Sequence, residues 1–188
     1  DWAPYIGRFT LVADGLSAPI ALTIAILSTV ISIYSIQYME HEPGLGRYFA
    51  LYLLYAAGMI GTVLSSNLAA FFLFFELMLI PSWALIGIWG TGPKERIAFK
   101  YFMFTETGAL FLLAGILATR FLAGTFDVFA IASQVSNVDV GLLTVIVSVM
   151  LFGLFVKMAI FPLHTWLPDA HAEAPTPISA LLSPAMIG

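Results

Sequence analysis

The stretch Gly141-Leu-Leu-Thr-Val-Ile-Val-Ser-Val-Met-Leu-Phe-Gly-Leu-Phe-Val-Lys157-Met-Ala-Ile-Phe161-Pro162 carries one charge before its proline, the lysine at 157. At 1.5 Å per residue, a helix over residues 141–161 is about 30 Å long, which is the thickness of a bilayer's hydrocarbon core. The run therefore reads as a transmembrane helix that ends in a charge and a proline. Working outward, runs of the same kind cover residues 16–38, 48–64, 68–90 and 97–120. A further one starts past Pro175 and Pro177 and covers 178–188. The composition agrees: 61% of the 188 residues are hydrophobic and 10% are charged, and the mean hydropathy is +0.99, outside the range of water-soluble domains. The expected fold class is all-α integral membrane, a polytopic bundle of about six transmembrane helices, one of them broken by proline. No second, soluble domain fits.

The connections support this division. Residues 39–47 hold Glu40, His41, Glu42, Pro43 and two glycines, a solvated turn. Ser65-Ser66-Asn67 is so short that the helices on either side should be antiparallel neighbours. Residues 91–96 form the next loop, and residues 121–140 mix apolar and polar side chains in the manner of an interfacial helix. Arg47, Lys94 and Arg96 fall on one side with Lys100 close by, and Arg8 and Arg120 on the other, which places connections 39–47, 91–96 and 162–177 together on the cytoplasmic side and Asp1 outside. Tyr48, Trp89 and Trp166 suit the aromatic belt of the membrane interface.

The net charge of −4 includes no basic cluster of the kind that follows a phosphate backbone, so nucleic acid is excluded as a partner. Cysteine is absent, which rules out disulfides, cysteine-ligated zinc and iron–sulfur clusters in this chain. Any electron carriers would belong to other subunits. The sequence opens at Asp1 without a methionine or basic leader and stops at Gly188 inside an apolar run, as an internal piece of a longer protein would.

Against this background the buried charges stand out. Glu76 lies in Phe71-Phe-Leu-Phe-Phe-Glu-Leu-Met-Leu-Ile-Pro81, where every other residue up to the proline is strongly apolar. Placing a charge at the centre of a span costs about 2.5–3.5 kcal/mol, so such groups face a bundle interior and mark ion paths. Pro81 has no N–H for the carbonyl of Leu77 and weakens the helix beside the carboxylate. Lys157 repeats the arrangement, with Pro162 withholding an N–H from the carbonyl of Met158. Residues 162–174, with Pro168, two histidines and two acids, then read as the continuation of a broken helix, which membranes tolerate only where it lines a cavity or is buried in protein.

A buried amine keeps its proton beside a carboxylate and gives it up when that neighbour withdraws. Glu76 and Lys157 together therefore make a proton switch; the structural alternatives are a static pair or a Lys157 that snorkels to the interface. Counted along straight helices, Glu76 lies about 12 Å and Lys157 about 24 Å from the same membrane face, a gap that tilt must close. Lys100 and Glu106 share one span but, six residues apart, point to different faces; Lys100 suits an end anchor, and Glu106 lies deeper. His164, Asp169, His171 and Glu173 match no standard zinc spacing and read better as a hydrogen-bonded hinge or proton relay than as a metal site.

The run Lys157-Met-Ala-Ile-Phe-Pro-Leu-His-Thr-Trp-Leu-Pro-Asp-Ala-His-Ala-Glu-Ala-Pro-Thr-Pro177 strongly resembles the signature of the antiporter-like subunits of respiratory complex I, whose relatives include membrane-bound hydrogenases and Mrp-type antiporters. Asp14-Gly-Leu-Ser17, Gly46-Arg-Tyr-Phe49 and Phe-Phe-Glu76-Leu-Met-Leu-Ile-Pro81 resemble other stretches of that family in the same order. The resemblance implies that Glu76 and Lys157 are the coupling pair of the fifth and seventh family helices. It also implies that the chain runs from the third to the eighth helix and holds most of one of two inverted five-helix repeats. Two positions depart from the pattern. Gly188 stands where a further lysine is implied, leaving His171 or His164 as partial substitutes, and Glu106 replaces a neutral polar residue, adding a carboxylate able to bind an ion.

The function implied is H⁺ or Na⁺ translocation by a subunit with no catalysis of its own, inside a complex I-like or membrane-bound hydrogenase-like oxidoreductase. Glu76, Lys157, His164, His171, Glu106, Lys100 and Asp169 are its candidate ion-translocation residues, and Pro81 and Pro162 its helix breaks. The alternatives are an Mrp-type secondary cation/proton antiporter subunit and a scaffold subunit with an inactive ion path. Other membrane and peripheral subunits are the implied partners. They would carry flavin, iron–sulfur or nickel–iron centres, with no cofactor in this chain, and a prokaryotic cell membrane is the implied location.

Overall fold

A computed structural model of the protein describes residues 6–136 and 138–187; Gly188, where the eighth-helix lysine was sought, lies outside the described residues. Helix α1, Ser17–Tyr38, starts where the Asp14 Oδ1 accepts from the amides of Leu16 at 2.9 Å and Ser17 at 2.7 Å. These bonds satisfy N–H groups that a helix start leaves without partners. Leu22, Ile26, Val30 and Ile33 of α1 are exposed, as residues facing lipid are. Helix α2, Leu45–Leu64, turns Tyr48, Tyr52 and Tyr55 inward at helical spacing. Tyr52 Oη donates to the Ser28 carbonyl at 2.7 Å, and Tyr48 Oη shares a 3.2 Å bond with Ser35 Oγ, so α2 and α1 are joined by polar contacts inside an apolar interface.

Helix α3, Leu68–Leu77, is capped by Asn67, whose Oδ1 accepts from Ala69 and Ala70. It stops one residue before α4, Leu79–Trp89, begins. The interruption at Met78 falls where Pro81 removes a donor from the ladder, and Ser82 Oγ adds bonds to the next carbonyls, Met78 at 2.8 Å and Leu79 at 2.9 Å. Helix α5, Lys94–Ala123, ends at Gly124 in the left-handed conformation. The short α6, Val128–Gln134, follows in the segment read as interfacial. Helix α7, Val140–Lys157, is followed by α8, Leu167–Glu173, and α9, Thr176–Leu181, which continues as a π-helical turn over Leu182–Ile187.

Among the described residues five helical segments, Ser17–Tyr38, Leu45–Leu64, Leu68–Trp89, Lys94–Ala123 and Val140–Lys157, are long and apolar enough to cross a membrane, and Thr176–Ile187 is a shorter apolar helix. The chain is a multi-pass, all-α integral membrane protein. One end of the bundle is tied by Trp89 Nε1 donating to the Pro43 carbonyl at 3.0 Å and Thr91 N–H to the Glu173 carbonyl at 2.8 Å. The connections assigned to one side by their charges thus do share one end. At the other end, Val12 N–H bonds Leu64, Leu68 N–H bonds Phe126 and Val128 N–H bonds Ser66.

Helix α5 runs through the middle, packed on α4, α7 and α8. Its seam with α7 is closed by glycines: a Cβ added at Gly108 would lie 2.7 Å from Val156 Cβ, and one at Gly153 would lie 2.7 Å from Leu112 N. Small residues at such crossings let backbones approach where no hydrophobic force draws helices together. The aromatic belt is corrected by the packing. Tyr48, Trp89 and Trp166 are all buried and face inward, because their polar atoms find partners inside the protein.

Candidate ion-translocation site

Lys157 is the last residue of α7, not a residue within a helix running on to Phe161. Pro162 disfavours helical geometry in the residue before it and lacks an N–H of its own, so the helix ends ahead of the proline. Ala159 takes φ +52°, a left-handed conformation costing an L-residue about 1–2 kcal/mol. Trp166, with no exposed surface, folds back from the turn and donates its Nε1–H to the Val156 carbonyl at 3.0 Å. That bond satisfies an acceptor at the helix end and fixes the backbone next to the lysine.

The Lys157 side chain is 3% exposed, and its Nζ has no hydrogen-bond partner. It sits 4.3 Å from the centroid of the Phe75 ring, within cation–π range. Phe75 immediately precedes Glu76, so α3 and the end of α7 meet at one level despite the depth mismatch counted along straight spans. Glu76 Oε1 is buried without a hydrogen-bond partner. A cleft of about 210 Å³ opens beside the lysine, lined by Met59, Thr62, Phe75, Met78, Leu154 and Met186 among others. Lys157 of α7 thus meets α3, one residue from Glu76, beside a space able to hold water.

The remaining candidates sit elsewhere. Lys100 Nζ donates to Asp169 Oδ2 at 2.6 Å and to the Thr165 carbonyl at 2.7 Å, joining α5 to the broken segment at its solvent-accessible end. His171 Nδ1 is 2.6 Å from Ser179 Oγ, and Glu173 Oε2 accepts from Thr91 Oγ1 at 3.0 Å. His164 stacks near Phe161 at 5.5 Å, with its Nδ1 buried and unpartnered. Asp169, His171 and Glu173 thus serve separate hinge contacts, and among the described residues no three acidic or histidine side chains are grouped to hold a metal ion.

Sequence reading passed over Phe75, whose ring receives the ammonium, and the buried Tyr101 and Ser82 pair, joined at 2.7 Å. A signal for the second was present: a serine one residue after a helix-breaking proline, and a tyrosine inside a span, each need a polar partner.

Comparison with known proteins matches this arrangement. Residues 65–187 fit the model of the family described as NADH:quinone oxidoreductase/Mrp antiporter, TM, and residues 3–49 that of NADH-Ubiquinone oxidoreductase (complex I), chain 5 N-terminus. The chain is 37% identical to NAD(P)H-quinone oxidoreductase chain 4 1 of Synechococcus sp. (strain JA-2-3B'a(2-13)) over 97% of its own length and 34% of that protein. It is 39% identical to the chloroplastic NAD(P)H-quinone oxidoreductase subunit 5 of Zygnema circumcarinatum over 90% of its length and 25% of that protein. It therefore spans about a third or less of the curated relatives it matches. Among solved structures, a chain of the membrane-bound sulfane sulfur reductase, an archaeal respiratory membrane complex, superposes with a TM-score of 0.89 at 28% identity, covering 99% of this chain and 38% of that one. A chain of the Mrp complex from Dietzia sp. DQ12-45-1b superposes with a TM-score of 0.86 at 30% identity, covering 94% and 20%. With a family model spanning well over half of it, the chain belongs to the NADH:quinone oxidoreductase/Mrp antiporter transmembrane family.

Proposed function

We propose that this chain forms one cation-translocating path of an antiporter-like subunit, which moves H⁺ or Na⁺ in a complex I-like or membrane-bound hydrogenase-like oxidoreductase. The observation that carries the reading is Lys157: a buried amine without a hydrogen bond, over the ring of Phe75 next to Glu76 in the chain, and lining a cleft. A buried charge without a hydrogen bond is a switch when an ionisable neighbour such as Glu76 can change its own charge, because altering the neighbour alters the cost of keeping the proton. Redox chemistry belongs to partner subunits carrying flavin, iron–sulfur or nickel–iron centres, and the membrane is a prokaryotic cell membrane.

In the assembled complex reconstituted into vesicles, Lys157→Ala and Glu76→Gln are each expected to abolish coupled ion movement while the subunits still copurify. Normal pumping in either variant refutes the reading. The likeness to a chain of the Mrp complex supports a second reading, a secondary cation/proton antiporter. Copurifying redox subunits support the first reading, and ion exchange in their absence the second.

A further inference from the structure

Tyr101 of α5 and Ser82 of α4 have no exposed surface, and their hydroxyls lie 2.7 Å apart. Each hydroxyl has one proton to give. Ser82 Oγ gives its own to the carbonyls of Met78 at 2.8 Å and Leu79 at 2.9 Å, so Tyr101 Oη is the donor within the pair. The phenol also reaches Met186 Sδ of the π-helical turn at 3.5 Å. Met78 and Met186 both line the cleft that Lys157 lines. One buried phenol thus stands behind two walls of that cleft, walls that belong to different parts of the chain. Its ring makes a third contact, 5.2 Å between centroids, with Trp166, whose N–H holds the Val156 carbonyl next to the lysine. A residue that only filled the core would not need the hydroxyl, since phenylalanine buries the same ring without a polar group to satisfy.

We propose that Tyr101 is a positioning residue of the ion path: its hydroxyl sets the spacing of the Met78 and Met186 walls around Lys157, and its ring backs the helix end that carries the lysine. This rests on the proposed translocation function and deepens it. Tyr101 acts through Ser82, Met186 and Trp166, and not on the ion itself. Methionine is unbranched and adaptable, so walls released from the phenol repack and alter the surroundings in which Lys157 holds its proton. Besides Lys157, the titratable side chains that the surrounding elements carry inside the bundle are Glu76 of α3, Glu106 of α5, Tyr48, Tyr52 and Tyr55 of α2, and His164 in the turn after α7. Tyr101→Phe leaves all of them in place.

The test measures ion movement per assembled complex in vesicles, across pH, with the full-length subunit carrying Tyr101→Phe, Ser82→Ala or both. Tyr101→Phe is expected to slow movement by about fivefold, the rate factor of one ordinary hydrogen bond, and to displace the pH profile. Ser82→Ala should displace the profile in the same direction, and the double variant should be no slower than the slower single, because both changes cut one link. Tyr48→Phe is the control. It removes the phenol from another buried tyrosine–serine pair, 3.2 Å from Ser35 and outside the cleft lining, and should lower stability while rate and profile stay at wild type. A wild-type rate and profile in Tyr101→Phe overturns the proposal. So does a double variant slowed by the product of the two singles, or a Tyr48→Phe that displaces the profile equally. If Tyr101→Phe does not assemble, Ser82→Ala decides alone: a displaced profile supports the proposal and an undisplaced one overturns it. Normal pumping in Lys157→Ala sinks the translocation reading instead, whereas an inactive Lys157→Ala beside an unaffected Tyr101→Phe refutes the positioning role only.

Discussion

Gly153→Ala tests whether the contact of α5 with α7 sets the position of the lysine. Gly153 lies four residues before Lys157 on α7, so the two share a face. A methyl at Gly153 would press on the Gly108 carbonyl oxygen and lie 2.7 Å from Leu112 N, both backbone atoms that cannot rotate away. Heavy atoms rest at about 3.5–4.0 Å, so the helices must part by about 1 Å. Overpacking of this kind costs about 1–3 kcal/mol, whereas replacing glycine by alanine in a helix returns about 0.5–1 kcal/mol of conformational entropy. The strain wins, by about 1 kcal/mol or more at mid-range. The expected outcome is a lower thermal inactivation midpoint for the purified complex and slower pumping in vesicles, as Lys157 moves relative to Phe75 and the neighbouring Glu76. Gly46→Ala, where nothing lies within 4 Å of the added methyl, is the control and should match or exceed wild-type stability. Wild-type midpoint and pumping in Gly153→Ala would refute the close-packed seam as the element that positions the lysine.

Trp166→Phe keeps most of the buried ring but removes the donor to the Val156 carbonyl. It should lower stability by about 1–3 kcal/mol, the cost of leaving a buried polar group short of a partner, and a denaturation midpoint equal to wild type contradicts this. Lys100→Met breaks the pair with Asp169, but the two side chains are 36% and 46% exposed. The loss should therefore stay within about 1 kcal/mol and shrink as salt is added, so a large salt-independent loss in thermal melts would show that the pair holds the broken segment far more firmly.

How far the sequence revealed the site depended on which residues were out of place in their surroundings. Glu76 and Lys157 were legible because each is a charge in an apolar run, and the proline five residues after each marked the backbone break. Glu106 was legible as a deep charge, and the contact of Lys157 with Phe75 was not legible at all, because it depends on how α3 and α7 are placed against each other, which residue counting along straight spans does not contain. Trp166 misled for a related reason. A tryptophan at a span end usually sits in the interface, but here the turn after α7 folds it inward, where its N–H meets the Val156 carbonyl. The glycine seam was invisible as a contact, because Gly108 and Gly153 acquire meaning only when two helices are placed face to face.

The two proline breaks share a spacing and differ in outcome, and the difference follows from what comes next. In both cases the proline stands five residues after the charge, Pro81 after Glu76 and Pro162 after Lys157. After Pro81 the chain continues Ser-Trp-Ala-Leu-Ile, without another proline, and Ser82 Oγ bonds the carbonyls of Met78 and Leu79, so the helix resumes after one residue. After Pro162 come Pro168, Pro175 and Pro177 among polar residues, and helical structure returns only in two short pieces held by Lys100, Thr91 and Ser179. Glu76 consequently sits on a nearly continuous span that fixes its level, whereas Lys157 stands at a true helix end whose following turn is tied by side-chain contacts. Both charges are thus held by backbone that the chain re-satisfies locally, Glu76 by a helix that resumes at once and Lys157 by the Trp166 N–H that closes the end of α7, as irregular backbone within a membrane requires.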